Sequence, residues 1–324
     1  MIVLVTSGAG YIGSHTCKAL AAAGYKPVAY DNLSTGHRWS VKWGPLEIGD
    51  LADADRLADV IARHTPAAVI HFAASAAAGE SVVDPGAYYR NNVAGSLTLL
   101  EAMRDHGPDT LVFSSTCAVY GIPRNLPIPE NHPLQPINPY GASKLMVERM
   151  IEDFAAAHGL RSARLRYFNA AGADPGGELG EIHEPETHAI PLALLTALGR
   201  RPRFDVFGDD YPTPDGSAIR DYVHVADLAA AHVLALRHLL AGGDPLTVNL
   251  GTGQGHSVLE LTATIERITG TRLTVQRAPR RPGDPPRLVA DARQAQALLG
   301  WQPSIPSLDD IVASAWAWHR SRNS

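Results

Sequence analysis

A short apolar run that ends in closely spaced glycines restricts the fold of this chain more than any other feature. The run Ile2–Val5 predicts a buried strand, and Gly8-Ala9-Gly10-Tyr11-Ile12-Gly13 and a helical stretch follow it. At the start of such a helix the backbone N–H groups are unpaired and the helix dipole favours an anion. The spacing therefore predicts a site for the pyrophosphate of a dinucleotide, formed by Gly8, Gly10 and Gly13.

The first half of the chain alternates short apolar runs with longer amphipathic stretches. This alternation predicts an α/β fold, a Rossmann-like doubly wound parallel sheet with helices on both faces. The predicted strands are Ile2–Val5, Pro27–Tyr30, Leu46–Ile48, Ala67–Phe72, Leu111–Phe113, Ala163–Tyr167 and Leu246–Leu250. The predicted helices include Asp53–His64, Asn91–His106 and His224–Leu240.

The composition changes after about Phe168. Three stretches there are predicted to be loops: Ala173–Pro185, Tyr211–Ser217 and Arg277–Arg287. We therefore expect a smaller, mixed α/β substrate domain over the carboxyl edge of the strands, where ligands of such sheets bind. The expected domains are residues 1–168 plus about 218–252 for the dinucleotide, and about 169–217 plus 253–324 for the substrate.

The overall composition excludes several classes of protein. The 324 residues carry a formal net charge of −5, which gives no basic face for nucleic acid. Cys17 and Cys117 are the only cysteines, too few for a disulfide framework or a zinc-cysteine site, and no metal is expected. No apolar run approaches the ~20 residues that span a bilayer, and no signal-peptide pattern follows Met1. We therefore expect a cytoplasmic protein without membrane or nucleic-acid partners.

An aspartate at the end of the second predicted strand bears on the choice of dinucleotide. Asp31 opens the sequence Asp31-Asn32-Leu33-Ser34. A carboxylate there can accept from both hydroxyls of an adenosine ribose and would repel a 2′-phosphate, which favours NAD over NADP. The alternative is an aspartate that only caps a turn. Gly49-Asp50-Leu51, after the third strand, either holds the adenine edge or forms an ordinary turn.

A tyrosine and a lysine four residues apart suggest the reactive group. Tyr140 and Lys144 share one face of a predicted helix. An ammonium one turn away lowers the pKa of a phenol from ~10, which would prepare Tyr140 for proton transfer. The alternative is an exposed helical pair. Thr116, at the carboxyl end of a strand, could bond the reacting oxygen. Cys117 is interpreted as a small buried residue because no basic partner lies near it.

Taken together, these residues resemble the extended short-chain dehydrogenase/reductase family, and within it the UDP-glucose (UDP-galactose) 4-epimerases. The resemblance covers nearly the whole chain. The motifs that carry it are Gly10–Thr16, Asp31–Ser34, His71–Ala74, Gly79–Val82, Tyr88–Val93, Pro139–Lys144, Leu165–Asn169, Arg220–Val225 and Ala278–Asp284.

The resemblance implies a tightly held NAD⁺ that is not consumed, and interconversion of UDP-glucose and UDP-galactose at C4 through a 4-keto sugar, as in galactose metabolism. Tyr140 would take the proton of the sugar 4-hydroxyl, Lys144 would hold the nicotinamide ribose, and Thr116 would bond the 4-oxygen. The expected cofactor residues are Gly8, Gly10, Tyr11, Ile12, Gly13, Asp31, Asn32, Ser34, Asp50, Leu51, Phe72, Ala73, Ala74, Asn91, Ser114, Tyr140, Lys144, Tyr167 and Phe168. The expected UDP-sugar residues are Thr116, Tyr140, Asn169, His188, Phe207, Arg220, Arg281 and Asp284.

Plainer roles compete for several of these positions. Arg220 could form a surface ion pair with Asp221, and Arg281 could be a solvated loop charge. Asn169 could cap a turn, and His188 could be structural. The resemblance also implies a two-fold homodimer in which helices expected over Tyr88–Gly107 and Ala142–Gly159 pack against their copies.

The chain departs from the family pattern at three positions. Ser7 stands where the family has glycine, and it is strained if the turn requires a positive φ. Ala76 stands where many of these epimerases have lysine, so a cation near the cofactor is missing. Leu288, four residues after Asp284, stands where the family controls access of N-acetylated sugars. Its bulk favours plain hexoses or pentoses.

Three other functions remain as alternatives. A UDP-xylose/UDP-arabinose 4-epimerase needs the same chemistry and a smaller sugar pocket. A nucleotide-sugar 4,6-dehydratase would carry an Asp-Glu pair after Thr116, where this chain has Cys117-Ala118. A non-catalytic NAD-binding sensor would tend to lose Tyr140 or Lys144, and both are present.

Overall fold

The computed structural model describes residues 1–322 of the chain. Fourteen strands form in the order β1 Ile2–Thr6, β2 Lys26–Asp31, β3 Leu46–Ile48, β4 Ala68–His71, β5 Thr110–Thr116, β6 Arg161–Tyr167, β7 Asn169–Ala171, β8 Phe204–Phe207, β9 Ile219–Arg220, β10 Tyr222–His224, β11 Leu246–Leu250, β12 His256–Ser257, β13 Val275–Ala278 and β14 Arg287–Leu288. The helices are α1 Tyr11–Ala22, α2 Ala54–His64, α3 Ala78–Val83, α4 Pro85–Tyr88, α5 Gly95–His106, α6 Pro139–His158, α7 Ala189–Ala197, α8 Val225–Leu240, α9 Val258–Thr269, α10 Arg293–Leu299 and α11 Leu308–Ser321.

Seven of the strands form one parallel sheet in the order β11-β6-β5-β4-β1-β2-β3. The chain runs from β1 outward to β3, then crosses back and continues from β4 to β11 on the other side. The direction of winding therefore reverses between β1 and β4, and this is where ligands of doubly wound sheets bind. The predicted Rossmann-like α/β fold is confirmed.

The strands carry apolar residues on both faces because helices cover both faces of the sheet. Along β1, Val3 and Val5 pack in one buried cluster that includes Leu228 of α8. Leu4, between them, points to the opposite cluster with Leu57 of α2. A third apolar cluster joins α7, α9 and α11 to β8, outside the seven-stranded sheet. Among residues 1–322, no helix is long and apolar enough to cross a membrane.

The predicted elements differ from the observed ones mainly at their ends. Leu46–Ile48 and Leu246–Leu250 have the predicted bounds, whereas the strand predicted at Leu111–Phe113 extends over Thr110–Thr116. The helix predicted from Asn91 begins as a π-helical turn at Tyr89–Ala94 and becomes α-helical at Gly95. The predicted loop Arg277–Arg287 is flanked by β13 and β14, which reach into it at either end.

A buried ion pair connects α6 to the centre of the sheet. Arg166 of β6 donates through Nε to Glu148 of α6, at 2.9 Å, and both side chains are 5% exposed or less. Ser115 of β5 donates to the same carboxylate. The guanidinium also donates to the Tyr120 hydroxyl, which donates in turn to Asn249 of β11. Four elements therefore share one polar network inside the core.

Removing one partner of this pair should destabilise the fold strongly. In Glu148→Ala the Arg166 charge stays buried without its counter-ion, and such a loss costs about 3–5 kcal/mol. The matched control is Arg149→Ala on the same helix, whose side chain is 71% exposed and whose loss should change the free energy of unfolding by at most about 0.5 kcal/mol. Urea unfolding followed by circular dichroism measures both, and equal effects of the two variants would contradict the assignment.

Candidate active site

A cavity of about 1080 Å³ opens at the carboxyl ends of the parallel strands. Its wall contains many of the predicted site residues: Asp31, Asn32, Ser34, Asp50, Leu51, Ala73, Ala74, Asn91, Asn169, His188, Phe207, Arg220, Arg281 and Asp284. Ser7 and Ala76, two of the three departures, are also in the wall. The remaining predicted residues lie outside this wall: Gly8, Gly10, Tyr11, Ile12, Gly13, Phe72, Ser114, Thr116, Tyr140, Lys144, Tyr167 and Phe168.

The glycine loop forms a tight turn at the N-terminus of α1. A Cβ added at Gly13 would lie 2.1 Å from the Ser7 carbonyl oxygen, and one at Gly8 would lie 2.6 Å from Ala29 Cβ. Side chains are therefore excluded where the loop folds onto itself. Gly10 is the N-cap of α1 and no side chain caps this end of the helix. The unpaired N–H groups fit an anionic group such as a pyrophosphate.

Ser7 has the strained backbone that its departure from glycine predicts. Its φ is 54°, in the left-handed region that glycine adopts at little cost. The turn requires this conformation because the Ser7 N–H donates to the Tyr30 carbonyl and the Ser7 carbonyl accepts from Gly10. The prediction of strain at this position is confirmed.

Asp31 has the turn-holding role considered for it from the sequence, and its contact with a ribose stays a prediction. Its Oδ2 accepts from the Ala9 N–H at 2.9 Å, and its Oδ1 accepts from the Leu33 N–H at 2.8 Å, so the carboxylate holds the turn. Each oxygen keeps a further acceptor site, and the residue is in the cavity wall. Asn32 donates to Asp50 across the same end of the cavity, at 2.7 Å.

Tyr140 and Lys144 lie on the first turns of α6, which begins at the cap residue Asn138. The Lys144 Nζ donates to the Ser114 carbonyl at 2.9 Å, and the Thr116 side chain lies close enough to the Tyr140 phenol to lower its pKa. Both partners are on β5, so the sheet holds the predicted catalytic residues together. The alternative of an exposed helical pair is wrong, because the Lys144 side chain is buried.

Two contacts connect the start of α6 to the cavity wall. Asn138 donates through Nδ2 to the carbonyl of Gly283, a wall residue, at 3.1 Å. Tyr88 donates to Glu80, also in the wall, and its ring centroid is 6.5 Å from that of Tyr140. The predicted reactive group therefore adjoins the cavity on the side of Glu80 and Gly283.

Burial controls the protonation of both groups. It raises the pKa of Tyr140 well above the ordinary phenol value, against the lowering effect of the hydrogen bond to Thr116. It lowers the pKa of Lys144 to about 7, against the raising effect of Glu148. The prediction that Lys144 lowers the pKa of Tyr140 is therefore wrong for the protein groups alone, because the desolvation of the phenolate outweighs other effects.

Several predicted residues outside the wall have polar or packing contacts within the protein. Tyr11 donates to the Gly172 carbonyl at 2.7 Å, and the hydroxyls of Tyr167 and Ser114 are 2.7 Å apart. Phe72 packs on His232 with 4.6 Å between the ring centroids. Ile12 packs against the apolar cluster that contains Phe72, and Phe168 belongs to a second cluster.

Both cysteines are buried thiols, as interpreted from the sequence. Cys17 lies in α1 and Cys117 follows β5. Burial raises the pKa of each thiol to about 12, so neither is a thiolate nucleophile near neutral pH.

Arginines and an aromatic ring form the opposite end of the cavity. The Arg281 guanidinium lies 3.8 Å from the centroid of the Phe207 ring. Arg220 forms an ion pair with Asp284, so the surface pair with Asp221 considered from the sequence is wrong. Asp221 instead accepts from backbone N–H groups, including those of Thr252 at 2.8 Å and Gly253 at 3.0 Å, and it holds that loop. Two arginines therefore face a space large enough for a nucleotide.

His188 is held by two carboxylates that the sequence analysis did not identify. Its Nδ1 lies 3.0 Å from Glu181 and 3.0 Å from Glu186. These neighbours raise the pKa of His188 to about 10 against the effect of burial, so the imidazole is protonated near neutral pH. The spacing Glu181-x-His183-x-x-Glu186-x-His188 was a signal in the sequence. Its first half lies in the predicted loop Ala173–Pro185, and its second half follows directly after that loop.

Leu288 lies outside the cavity wall, although its position four residues after Asp284 suggested a direct contact with the sugar. It is 6% exposed and belongs to the apolar cluster of Cys117 and Phe168. Its backbone pairs in register with Arg220, which is in the wall. Leu288 therefore lies behind residues of the sugar end, and its control of sugar size stays a prediction.

Comparisons with known proteins show which family the chain belongs to. The model of the NAD dependent epimerase/dehydratase family matches residues 3–251. A UDP-glucose 4-epimerase of Rhizobium meliloti (strain 1021) is 56% identical over 99% of this chain and 98% of its own length. The structure of UDP-glucose 4-epimerase from Brucella ovis in complex with NAD has a TM-score of 0.95 and 54% identity, over 98% of this chain and 97% of that one. A UDP-glucose 4-epimerase from Stenotrophomonas maltophila, with bound NAD and formylated UDP-arabinopyranose, has a TM-score of 0.95 and 42% identity over 100% and 99% of the two chains.

Replacing Ser7 by glycine should relieve the strain in the loop. A non-glycine residue in a sparsely populated region of φ,ψ costs on the order of 1 kcal/mol, so Ser7→Gly should raise the free energy of unfolding by up to about that amount. The matched control is Ser14→Gly within α1, which should instead lower it by about 0.5–1 kcal/mol. Urea unfolding of both variants tests this, and a destabilised Ser7→Gly would show that the turn is not strained.

Proposed function

The chain belongs to the NAD dependent epimerase/dehydratase family, and we propose that it interconverts UDP-glucose and UDP-galactose at C4 through a 4-keto sugar. The observation that carries this assignment is the packing of Tyr140 and Lys144 against β5, where Lys144 donates to the Ser114 carbonyl. The cavity beside them is lined by Asp31, Arg220 and Arg281. The family, the isomerase class and NAD as the cofactor are as predicted from the sequence.

The residues of one end of the cavity fit NAD. The glycine loop and the uncapped N-terminus of α1 would hold its pyrophosphate, and Asp31 would accept from its adenosine ribose. Asn32, Asp50 and Asn91 complete this end. When bound, NAD⁺ supplies the hydride acceptor for sugar C4 and an additional positive charge.

Tyr140 acts in this proposal as the group that exchanges a proton with the sugar 4-hydroxyl. Thr116, whose side chain lowers the pKa of the nearby phenol, would hold the 4-oxygen beside it. Burial keeps the phenol protonated in the protein alone, and a protonated phenol cannot accept the 4-hydroxyl proton. The phenolate, favoured by the positive charge of bound NAD⁺, would take that proton as hydride leaves C4. Lys144, whose pKa burial lowers to about 7, can gain or lose a proton near neutral pH and bonds β5 beside the phenol.

Arg220 and Arg281 would bind the diphosphate of the UDP-sugar. A planar guanidinium pairs with two phosphate oxygens at once. Arg281 is stacked on Phe207, which fixes its plane, and Arg220 is oriented by Asp284. Asn169 and the protonated His188 line the same space and would contribute further donors.

The alternative functions fit these residues less well. Cys117, a buried thiol, occupies the position where a 4,6-dehydratase needs a carboxylic acid. A non-catalytic sensor would not require the Tyr140–Thr116 contact. A UDP-pentose 4-epimerase remains the second candidate, because a relative of 42% identity is described with a formylated UDP-arabinopyranose.

The assembly and location are further parts of the proposal. We propose a homodimer formed through α5 and α6, on which Leu97 and Met146 are 38% and 45% exposed. Apolar side chains of this size on neighbouring helices are suited to an interface with a second copy. We also propose a cytoplasmic location, where buried cysteines such as Cys17 and Cys117 remain thiols.

Removal of the Tyr140 hydroxyl should abolish most of the activity without unfolding the protein. Tyr140→Phe keeps the ring, and the loss of general acid–base catalysis should lower turnover of UDP-galactose to UDP-glucose about 10²- to 10⁴-fold. NAD content, measured after denaturation, should be unchanged. Tyr89→Phe is the matched control, since Tyr89 is 37% exposed, and it should retain activity. Near-normal epimerisation by Tyr140→Phe would contradict the role of this phenol.

Leu288 should limit the size of the sugar. An overpacked site costs about 1–3 kcal/mol, or roughly 5- to 150-fold in rate if the cost is felt while the keto sugar turns. We expect UDP-glucose and UDP-galactose to react faster than their N-acetyl forms by this factor, and Leu288→Ser to reduce the difference. Leu298→Ser, on the surface of α10, is the control. Equal rates on both sugar pairs, in wild type and variant alike, would contradict this role.

A further inference from the structure

Four potential metal ligands meet in the segment that joins β7 to α7. They are Glu181, His183, Glu186 and His188, hereafter the 181–188 cluster, and one ligand atom from each lies within 4.8 Å of all the others. Three of the four side chains, those of His183, Glu186 and His188, also form part of the cavity wall. The proposed epimerase chemistry uses His188 alone from this set.

The distances within the 181–188 cluster match a tetrahedral site. His188 Nδ1 lies 3.0 Å from one oxygen each of Glu181 and Glu186, and His183 Nδ1 lies 3.4 Å and 3.5 Å from oxygens of the same two residues. Ligands at about 2.1 Å from a central ion, as in zinc sites, are separated by about 3.4 Å along the edges of the tetrahedron. The four His–Glu distances are therefore close to those that ligands around one zinc ion would have.

The charge of the cluster also points to a cation. Glu181 and Glu186 are 5% and 8% exposed, and two carboxylates so close together are costly to bury without a counter-charge. Among residues 1–322, no lysine or arginine pairs with either carboxylate. Without an ion, the proton on His188 offsets only one of the two negative charges. The Nδ1 of His183 is buried and has no hydrogen-bond partner, which leaves it available as a ligand. One divalent ion would neutralise both carboxylates and satisfy this nitrogen.

Surrounding contacts hold the ligands in place. Glu186 Oε1 accepts from the N–H groups of Thr187 at 2.7 Å and His188 at 2.8 Å. The His37 side chain contacts the carbonyl of Ile182, between two of the ligands, at 3.1 Å. Contacts of this kind orient the ligands of metal sites and strengthen binding.

We propose that the 181–188 cluster binds one divalent transition-metal ion, of which zinc fits best. Two imidazoles and two carboxylates favour zinc over magnesium or calcium, which take mainly oxygen ligands. Four protein ligands close the coordination sphere, so the ion is structural and fixes this wall of the cavity. The sequence analysis expected no metal because it considered only the cysteines.

Zinc binding to the tag-free, chelator-treated protein tests the site without any sugar nucleotide. Isothermal titration with ZnCl₂ should give one equivalent per chain, and Co²⁺ should give the visible absorption of a tetrahedral site. His183→Ala should weaken zinc binding at least ~100-fold. Glu181→Gln, which keeps the side-chain volume, should do the same if His183→Ala fails to fold.

The matched control is His64→Gln. His64 contacts Glu47 at 2.7 Å, and Glu47 also pairs with Arg56 and Arg63. This group is remote from the cluster in sequence, so the loss of His64 should leave zinc binding unchanged. Substoichiometric zinc binding by the wild type would overturn the proposal, as would equal affinity of wild type and Glu181→Gln. In that case the cluster is only an ion pair in which His188 carries a proton. These measurements do not depend on epimerase activity, so the two proposals can fail separately.

Discussion

The site depends on how helix α6 packs against strand β5. Three residues of α6, each one turn apart, face three consecutive residues of β5. Lys144 donates to the Ser114 carbonyl, and Glu148 accepts from Ser115. Tyr140 lies close enough to Thr116 for that side chain to lower its pKa. The i, i+4, i+8 spacing puts the helix residues on one face, and the strand brings successive residues past that face. The reactive phenol is therefore fixed by the same contact surface that contains the buried ion pair of Glu148.

This packing explains why desolvation dominates the protonation of the site. A phenol and an ammonium packed against a sheet lose the water that would stabilise their charged forms. The pKa of Tyr140 rises and that of Lys144 falls. Sequence spacing alone suggests the opposite for the phenol, because it gives the distance along the helix but not the burial. The protein therefore keeps the Tyr140 phenol neutral, and the Lys144 ammonium easily loses its proton.

Much of the sheet was predictable because its strands are buried on both faces and carry continuous apolar runs. The π-helical turn at Tyr89–Ala94 was not predictable, because nothing in the residue pattern distinguishes it from the α-helix that follows. In the site, Asp31 and Tyr140 were found through motifs with a physical mechanism. The carboxylate partners of His188 were missed, because these loop residues follow neither helical nor strand periodicity. They come together only through the path of the backbone. The ion pair of Arg220 was assigned to its neighbour Asp221 for the same reason: its true partner, Asp284, follows much later in the chain.

The position of β11 at the edge of the sheet has a consequence for how the chain folds. β11 pairs with β6, but residues 168–245 lie between them, including α7, α8 and four of the strands of the smaller sheets. During synthesis the free edge of β6 stays unpaired until this whole stretch has left the ribosome. Closing so long a loop is slow, and an open strand edge is a site for wrong pairing with other chains. We therefore expect the nascent chain to be most prone to aggregation before β11 emerges. A chain truncated before Leu246 would leave the edge of β6 without its partner strand.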